Sequence, residues 1–248
     1  MKPRILRWTW AALPLIAIAA VLVWSYFAPT AQTFGHIWYE GPPAARAIAL
    51  TFDDGPNEPY TSQVLDILAR EQVPATFFLV GHNVELYPET ARRILRDGHV
   101  IGNHLDVHDA NHSLSTSGQQ ELDRAQTKIR SITGVSPTLY RPPHGRKTPW
   151  ELGYAAARGF QAVNWSVTTN EKGETDAAAV AGRIVEQARP GGIVLMHDGY
   201  GTDHGVPWAD KSLTPRALPL VIQALRAQGY KFLTVPDLLG LPAYQAGN

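Results

Sequence analysis

Two aspartates stand side by side in Thr51-Phe52-Asp53-Asp54-Gly55-Pro56, and two histidines stand four apart in Asn103-His104-Leu105-Asp106-Val107-His108. Adjacent carboxylates repel each other unless a cation sits nearby. Histidines at i and i+4 point the same way when the segment makes a helical turn. One carboxylate and two imidazoles form a catalytic metal pattern, because further coordination positions stay open to water and substrate. Zinc is the first expectation, and other divalent ions such as cobalt suit the same donors. The second aspartate is then free to take a proton from the attacking water. Two more clusters complete the set. His197, in Leu195-Met196-His197-Asp198-Gly199, is a candidate proton donor to a leaving group. Arg141, in Arg141-Pro142-Pro143-His144-Gly145, is a candidate to hold the base carboxylate ionised.

Each fragment alone has an ordinary reading. Asp-Asp-Gly-Pro is also a turn sequence, and Arg-Pro-Pro is also a kinked connection. His112 lies four residues past His108 and is an alternative ligand by spacing. The joint pattern gains weight from the elements that must position it. Apolar runs at 47–52, 75–80, 100–103, 138–141, 160–165, 192–196 and 232–235 read as strands. Between them, residues 60–71, 88–98, 117–133, 148–159, 176–188 and 214–229 read as helices, several opened by Pro and closed by Gly. Such alternation predicts parallel strands joined by crossover helices. Seven units without a composition break predict a closed or nearly closed α/β barrel, with a doubly wound open sheet as the alternative. Every polar cluster falls at the C-terminal end of a strand, the face on which βα barrels build active sites.

The first residues form a separate unit. Lys2, Arg4 and Arg7 precede an apolar run from Trp8 to Phe27, and no charge returns until Glu40. That length suits a single transmembrane span with a cytoplasmic basic tip over residues 1–27, which places the remainder outside the cytoplasm at the cell membrane. A cleaved signal peptide is the alternative, and no good small-residue cleavage site follows. Residues 28–46, with Pro29, Gly35, Gly41, Pro42 and Pro43, read as a linker, and 47–248 as the catalytic domain. The whole chain of 248 residues balances 22 basic against 22 acidic residues and has no cysteine. Nucleic acid is therefore not an expected partner, and disulfide, thiolate-metal and cysteine-nucleophile chemistry are excluded. No glycine-rich phosphate loop follows a strand, so nucleotide binding has little support.

Read together, these clusters resemble the polysaccharide deacetylases of the NodB homology type, carbohydrate esterase family four, over roughly residues 45–240. The resemblance implies a distorted (β/α)7 barrel, a divalent metal, and hydrolytic removal of acetyl groups from N-acetylglucosamine-containing polysaccharide of the cell envelope or extracellular matrix. It assigns Asp53 as general base, Asp54, His104 and His108 as metal ligands, and Arg141 as the partner of the base. His144 falls in the loop that helps form the oxyanion site, Leu195 in the acetyl pocket, and His197 at the general acid. Two positions depart from the family pattern. Leu105 replaces the usual Ser or Thr after the first ligand histidine, and Glu171-Lys172 replaces Asp-Trp, so Glu171 is the expected partner of His197. Trp208, on the segment Tyr200–Lys211, is a candidate to stack on a sugar ring. The departures at Leu105 and Lys172 also admit a membrane-tethered glycan-binding protein of weak activity, or an O-acetyl esterase or small-amide deacetylase on the same fold.

Overall fold

The computed structural model describes residues 5–43, 46–169, 174–200 and 210–246, with side chains from Leu13 onward. An N-terminal helix α1 (Ile5–Phe27) precedes β1 (Ala47–Asp53). There follow α2 (Tyr60–Glu71), β2 (Thr76–Leu79), α3 (Gly81–Leu86), α4 (Pro88–Arg96) and β3 (Val100–Asn103). The middle of the chain forms α5 (Ser117–Thr133), β4 (Leu139–Tyr140), α6 (Pro149–Ala157), β5 (Gln161–Ala162) and β6 (Val167–Thr168). It ends with α7 (Ala177–Gln187), β7 (Gly192–His197), α8 (Leu213–Ala227), β8 (Lys231–Phe232) and α9 (Val235–Leu239).

The helices follow local rules. In α4, Pro88 opens the first turn with Glu89, and Arg93 and Arg96 sit in the last turn, complementing the helix dipole. Asp176 caps α7 by accepting from the Ala178 N–H. Gly134, at φ +80°, ends α5. The buried face of α8 runs Ala217, Leu218, Val221, Ile222 and Leu225, which is helical periodicity against a core. β1 is buried along its full length, as a strand covered on both faces must be.

All strand pairings are parallel, in the order β5-β4-β3-β2-β1-β7-β6, with β8 also paired to β1. Among the described residues the sheet, expected as a closed or nearly closed barrel, does not close by strand pairing alone. β5 and β6 are the two edges, so the sheet is a parallel half-barrel rather than a closed (β/α)7 ring. The segment expected as a linker enters this gap. Trp38 makes a parallel bridge to Val163 and Glu40 an antiparallel bridge to Gly192. Their backbone bonds are Trp38 N–H to Ala162 O, Asn164 N–H to Trp38 O and Gly41 N–H to Gly191 O. Ala31 and Ile37 are buried with them. Over its described part this segment is therefore a strap packed on the sheet.

The helix expected at the N-terminus forms as α1. Its expected role as a span is not shown: among the described residues no helix is long and apolar enough to cross a membrane.

Candidate metal-centred active site

Parallel pairing carries the polar clusters to one end of the sheet. Asp53 pairs with His197 across β1 and β7, and Asn103 with Tyr140 across β3 and β4, so His104 and Arg141 emerge side by side. The Arg141 N–H bonds Asn103 O, and the His104 N–H bonds Leu79 O, which fixes both exits. The result is a cavity of about 760 Å³ whose lining includes Asp53, Asp54, His104, His108, His144, Trp165, Leu195 and His197.

Three donor atoms converge in it. Asp54 Oδ1 lies 3.4 Å from His104 Nε2 and 3.3 Å from His108 Nε2. Bonds of about 2.0–2.1 Å to a tetrahedral zinc would give edges of about 3.3–3.4 Å between ligand atoms, which the measured spacings match. The protonation pattern points the same way. His104 Nδ1 sits 2.7 Å from Arg141 O and can only donate to that carbonyl, which leaves a lone pair on Nε2 of the neutral ring. Asp54 Oδ1 is buried and has no hydrogen-bond partner. Two buried lone-pair atoms facing each other need a cation between them. The three residues therefore fit a divalent ion.

Burial by itself would raise the pKa of Asp54, but the positive charge that His108, His197 and His104 carry when protonated holds its carboxyl well below the usual range. It is available as an anionic ligand.

The loop that carries both histidines is not helical. Leu105 and His108 have φ of +64° and +59°, and Asp54 and His144 have +73° and +57°. Four non-glycine residues in the left-handed region cluster at one site, a conformation that the surrounding structure must impose. The convergence of His104 and His108 expected from helical spacing is thus achieved by a constrained loop. Leu105 itself packs in an apolar cluster with Leu122, Tyr140, Ala155 and Phe160. Its N–H is held by Asn103 Oδ1 at 2.9 Å. His112 does not join the ligands. It is fully buried, with Nε2 at 3.0 Å from Glu151 Oε1 and Nδ1 at 2.9 Å from Asp109 O.

Asp53 stands next to the ligands with a different set of partners. Arg141 Nη1 donates to Asp53 Oδ1 at 2.6 Å and to Thr51 Oγ1 at 2.8 Å. Its remaining donors go to Val163 O and Asn164 O, both at 3.1 Å. The guanidinium is fully buried and stacks 3.9 Å from the Phe78 ring centroid. Burial alone lowers its pKa, and the Asp53 charge and hydrogen bond oppose that. Asp53 Oδ2 meanwhile lies 3.7 Å from His104 Nε2, so its second oxygen faces the donor set.

His197, His144 and Leu195 all line the cavity. The His144 ring packs edge-on to His108 with centroids 4.6 Å apart. Glu171, Lys172 and Trp208 lie outside the described residues. Sequence reasoning missed Thr51, Asp198 and Trp165. Thr51 shares a face with Asp53 by strand alternation, a signal present in Thr-Phe-Asp. Asp198 is buried behind the site, where Thr61 Oγ1 donates to its Oδ2 at 2.5 Å. Burial pushes its pKa up to about 7, with the Asp54 and Asp53 charges adding to the effect and the Thr61 bond opposing it.

With this geometry in place, comparison with known proteins gives a consistent answer. The polysaccharide deacetylase family profile matches residues 40–163. The chain belongs to the polysaccharide deacetylases, carbohydrate esterase family four. A peptidoglycan-N-acetylglucosamine deacetylase of Bacillus cereus is 36% identical over 208 residues, 83% of this chain and 93% of that protein. A chitooligosaccharide deacetylase of Bradyrhizobium sp. is 36% identical over 198 residues, 78% of this chain and 90% of that protein. The crystal structure of a peptidoglycan N-acetylglucosamine deacetylase superposes with a TM-score of 0.78 at 30% identity, covering 84% of this chain and 95% of that one. The protein is thus an N-deacetylase enzyme built on the NodB-type half-barrel.

Proposed function

We propose that this deacetylase removes acetyl groups from N-acetylated amino sugars of an envelope or extracellular glycan, with a divalent ion, zinc before cobalt, held by Asp54, His104 and His108. The observation that carries the reading is the pairing of two differently committed carboxylates. Asp54 is aimed at two imidazole nitrogens, while Asp53 is clamped by a buried Arg141. A bound divalent ion would supply Lewis-acid polarisation of the acetyl carbonyl and lower the pKa of the attacking water.

The chain's own residues divide the remaining work. Asp53 accepts a proton from the water as its oxygen bonds to the carbonyl carbon. Arg141 orients that carboxylate through its hydrogen bond to Oδ1. The backbone of the Pro143–Gly145 loop, left-handed at His144, would donate an N–H to the developing oxyanion. Leu195 offers the acetyl methyl an apolar wall. His197 gives a proton to the nitrogen as the C–N bond breaks, so acetate and a free amine leave. Glu171 and Trp208 are proposed as the partner of His197 and a sugar-stacking residue. The peptidoglycan and chitooligosaccharide activities named for the relatives support an N-acetylglucosamine polymer as substrate.

We further propose that α1 anchors the protein in the cell membrane with the catalytic domain on the extracytoplasmic side. The sequence run from Trp8 to Phe27 is almost wholly apolar, which supports the reading. Its described apolar side chains, from Leu13 to Trp24, are exposed on all sides, as lipid-facing residues would be. Lys2 and Arg4 precede α1 and Arg7 lies in its first turn.

The test is acetate release by the full chain from peptidoglycan, poly-N-acetylglucosamine and chitin oligomers, after chelation and again with zinc or cobalt restored. Release that returns with metal is expected. Asp53→Asn is expected to lower kcat by about 100- to 10,000-fold with metal still bound. Full turnover by that variant, or turnover indifferent to chelation, would refute the assignment.

A further inference from the structure

We infer that the catalytic domain lies against the bilayer surface, docked through Leu114 and Trp150 beside the end of α1, and that it works on glycan held at that surface. This rests on the proposed anchoring by α1. The helix is not joined to the domain by a loose tether. Ser25 is fully buried and bonds Thr33 Oγ1 at 2.8 Å. Lys147 Nζ donates to Ala28 O at 2.5 Å, and Asn164 Nδ2 to Pro29 O at 2.8 Å. Ser113 Oγ donates to Tyr26 Oη at 3.2 Å, and the Arg146 guanidinium sits 5.5 Å from the Phe27 ring centroid. Apart from Thr33, the partners Ser113, Arg146, Lys147 and Asn164 belong to the loops after β3, β4 and β5. Those loops also carry His108, His144 and Trp165 into the active-site cavity. The helix end and the cavity therefore share one face of the half-barrel.

The exposed apolar side chains extend that contact. Outside α1, the large hydrophobic side chains exposed among the described residues are Leu86, Leu114, Trp150 and Leu220. Leu114 is 60% exposed and Trp150 54%, and Leu114 follows Ser113 in the chain. Trp150 Nε1 donates to Ser113 O at 3.0 Å, and Ser113 is the residue bonded to Tyr26. On the helix itself, Trp24 and Phe27 are exposed next to Tyr26. Trp and Tyr favour the headgroup level of a bilayer, where an apolar ring and a polar handle are both accommodated. Leu114 and Trp150 are thus linked to the helix end through Ser113, and a bilayer entered by α1 would meet them next.

The chain contains no cysteine, so one introduced thiol labels one place. Leu114→Cys and Trp150→Cys, each carrying an environment-sensitive dye, would be reconstituted as full chain in phosphatidylethanolamine–phosphatidylglycerol vesicles containing nitroxide lipids. Ile18→Cys in α1 reports anchoring. Leu220→Cys on α8, which packs on α2 and α7, reports a surface away from the bilayer. Strong quenching at 18, 114 and 150, several-fold above that at 220, is expected. Quenching at 18 with 114 and 150 as unquenched as 220 would overturn the docking and keep the anchor. No quenching at 18 would overturn the anchor and the docking with it. A functional arm uses Leu114→Ser. It should lower acetate release from lipid-attached glycan several-fold while leaving release from the same glycan in solution unchanged. An unchanged ratio between the two substrates would overturn the inference.

Discussion

Lys147→Met tests the strap through a pH signature that the structure allows to be sized. The Lys147 ammonium is fully buried and spends a donor on Ala28 O. Burial pushes its pKa from 10.5 down to about 8. At about 1.4 kcal/mol per pH unit, holding that charge costs the folded state about 3.4 kcal/mol at neutral pH. Between pH 8 and 10.5 the unfolded chain binds more protons than the folded one at this site, so stability rises with pH across that window. The cost is fully present below pH 8 and gone above 10.5. From pH 7 to pH 9.5 the wild-type protein should gain about 2 kcal/mol from this group. Met keeps the aliphatic stem and removes the charge, but it leaves Ala28 O without its donor, at a cost of about 1–3 kcal/mol. At pH 7 the two effects oppose each other and the variant should lie close to wild type. At pH 9.5 it should be less stable than wild type by about 2 kcal/mol more than at pH 7. Urea unfolding of both full chains in one nonionic detergent, across pH 7 to 9.5, gives the difference. Tyrosine ionisation is common to both proteins and cancels. Stability curves that run parallel over this range would refute the reasoning.

Other perturbations probe the site from different sides. His104→Ala removes one of three donors and should release zinc during dialysis that wild type survives, with the circular dichroism spectrum unchanged; retained stoichiometric zinc by elemental analysis would contradict the ligand set. Gly199→Ala would place a Cβ 2.1 Å from Asp54 O. That contact is with backbone and must be relieved by moving the Asp54 turn, so a loss of about 1–3 kcal/mol and weaker zinc binding by calorimetry should appear together. Glu151→Ala removes the carboxylate that accepts from Tyr140 Oη at 2.5 Å and faces His112 at 3.0 Å. Breaking this buried cluster should cost about 3–5 kcal/mol, read in thermal unfolding, and a wild-type midpoint would show that the pair carries no stability.

Residue types and spacing alone pointed to the deacetylase family and to the segments that line the cavity. Asp53, Asp54, His104, His108, Arg141 and His197 were legible because such residues are costly at strand ends unless they act together. The strand–helix alternation likewise fixed a parallel α/β architecture, since crossover connections leave few other arrangements. Tertiary structure decided what local spacing cannot. His108 and His112 are each four residues from a neighbouring histidine, yet His108 meets Asp54 while His112 turns to Glu151. The choice is made by left-handed turns at Leu105 and His108, which no helical rule anticipates. The six-residue α3 and five-residue α9 are too short to show periodicity, and β6 exists only through its pairing with β7. Closure was undecidable from alternation, because open and closed sheets share the same pattern, and only pairing register distinguishes them. The strap was hidden for a related reason. Its bridges at Trp38 and Glu40 are made by backbone groups, and backbone hydrogen bonds leave no mark on residue type. A proline- and glycine-rich stretch looks the same whether it hangs in solvent or fills the open edge of a sheet.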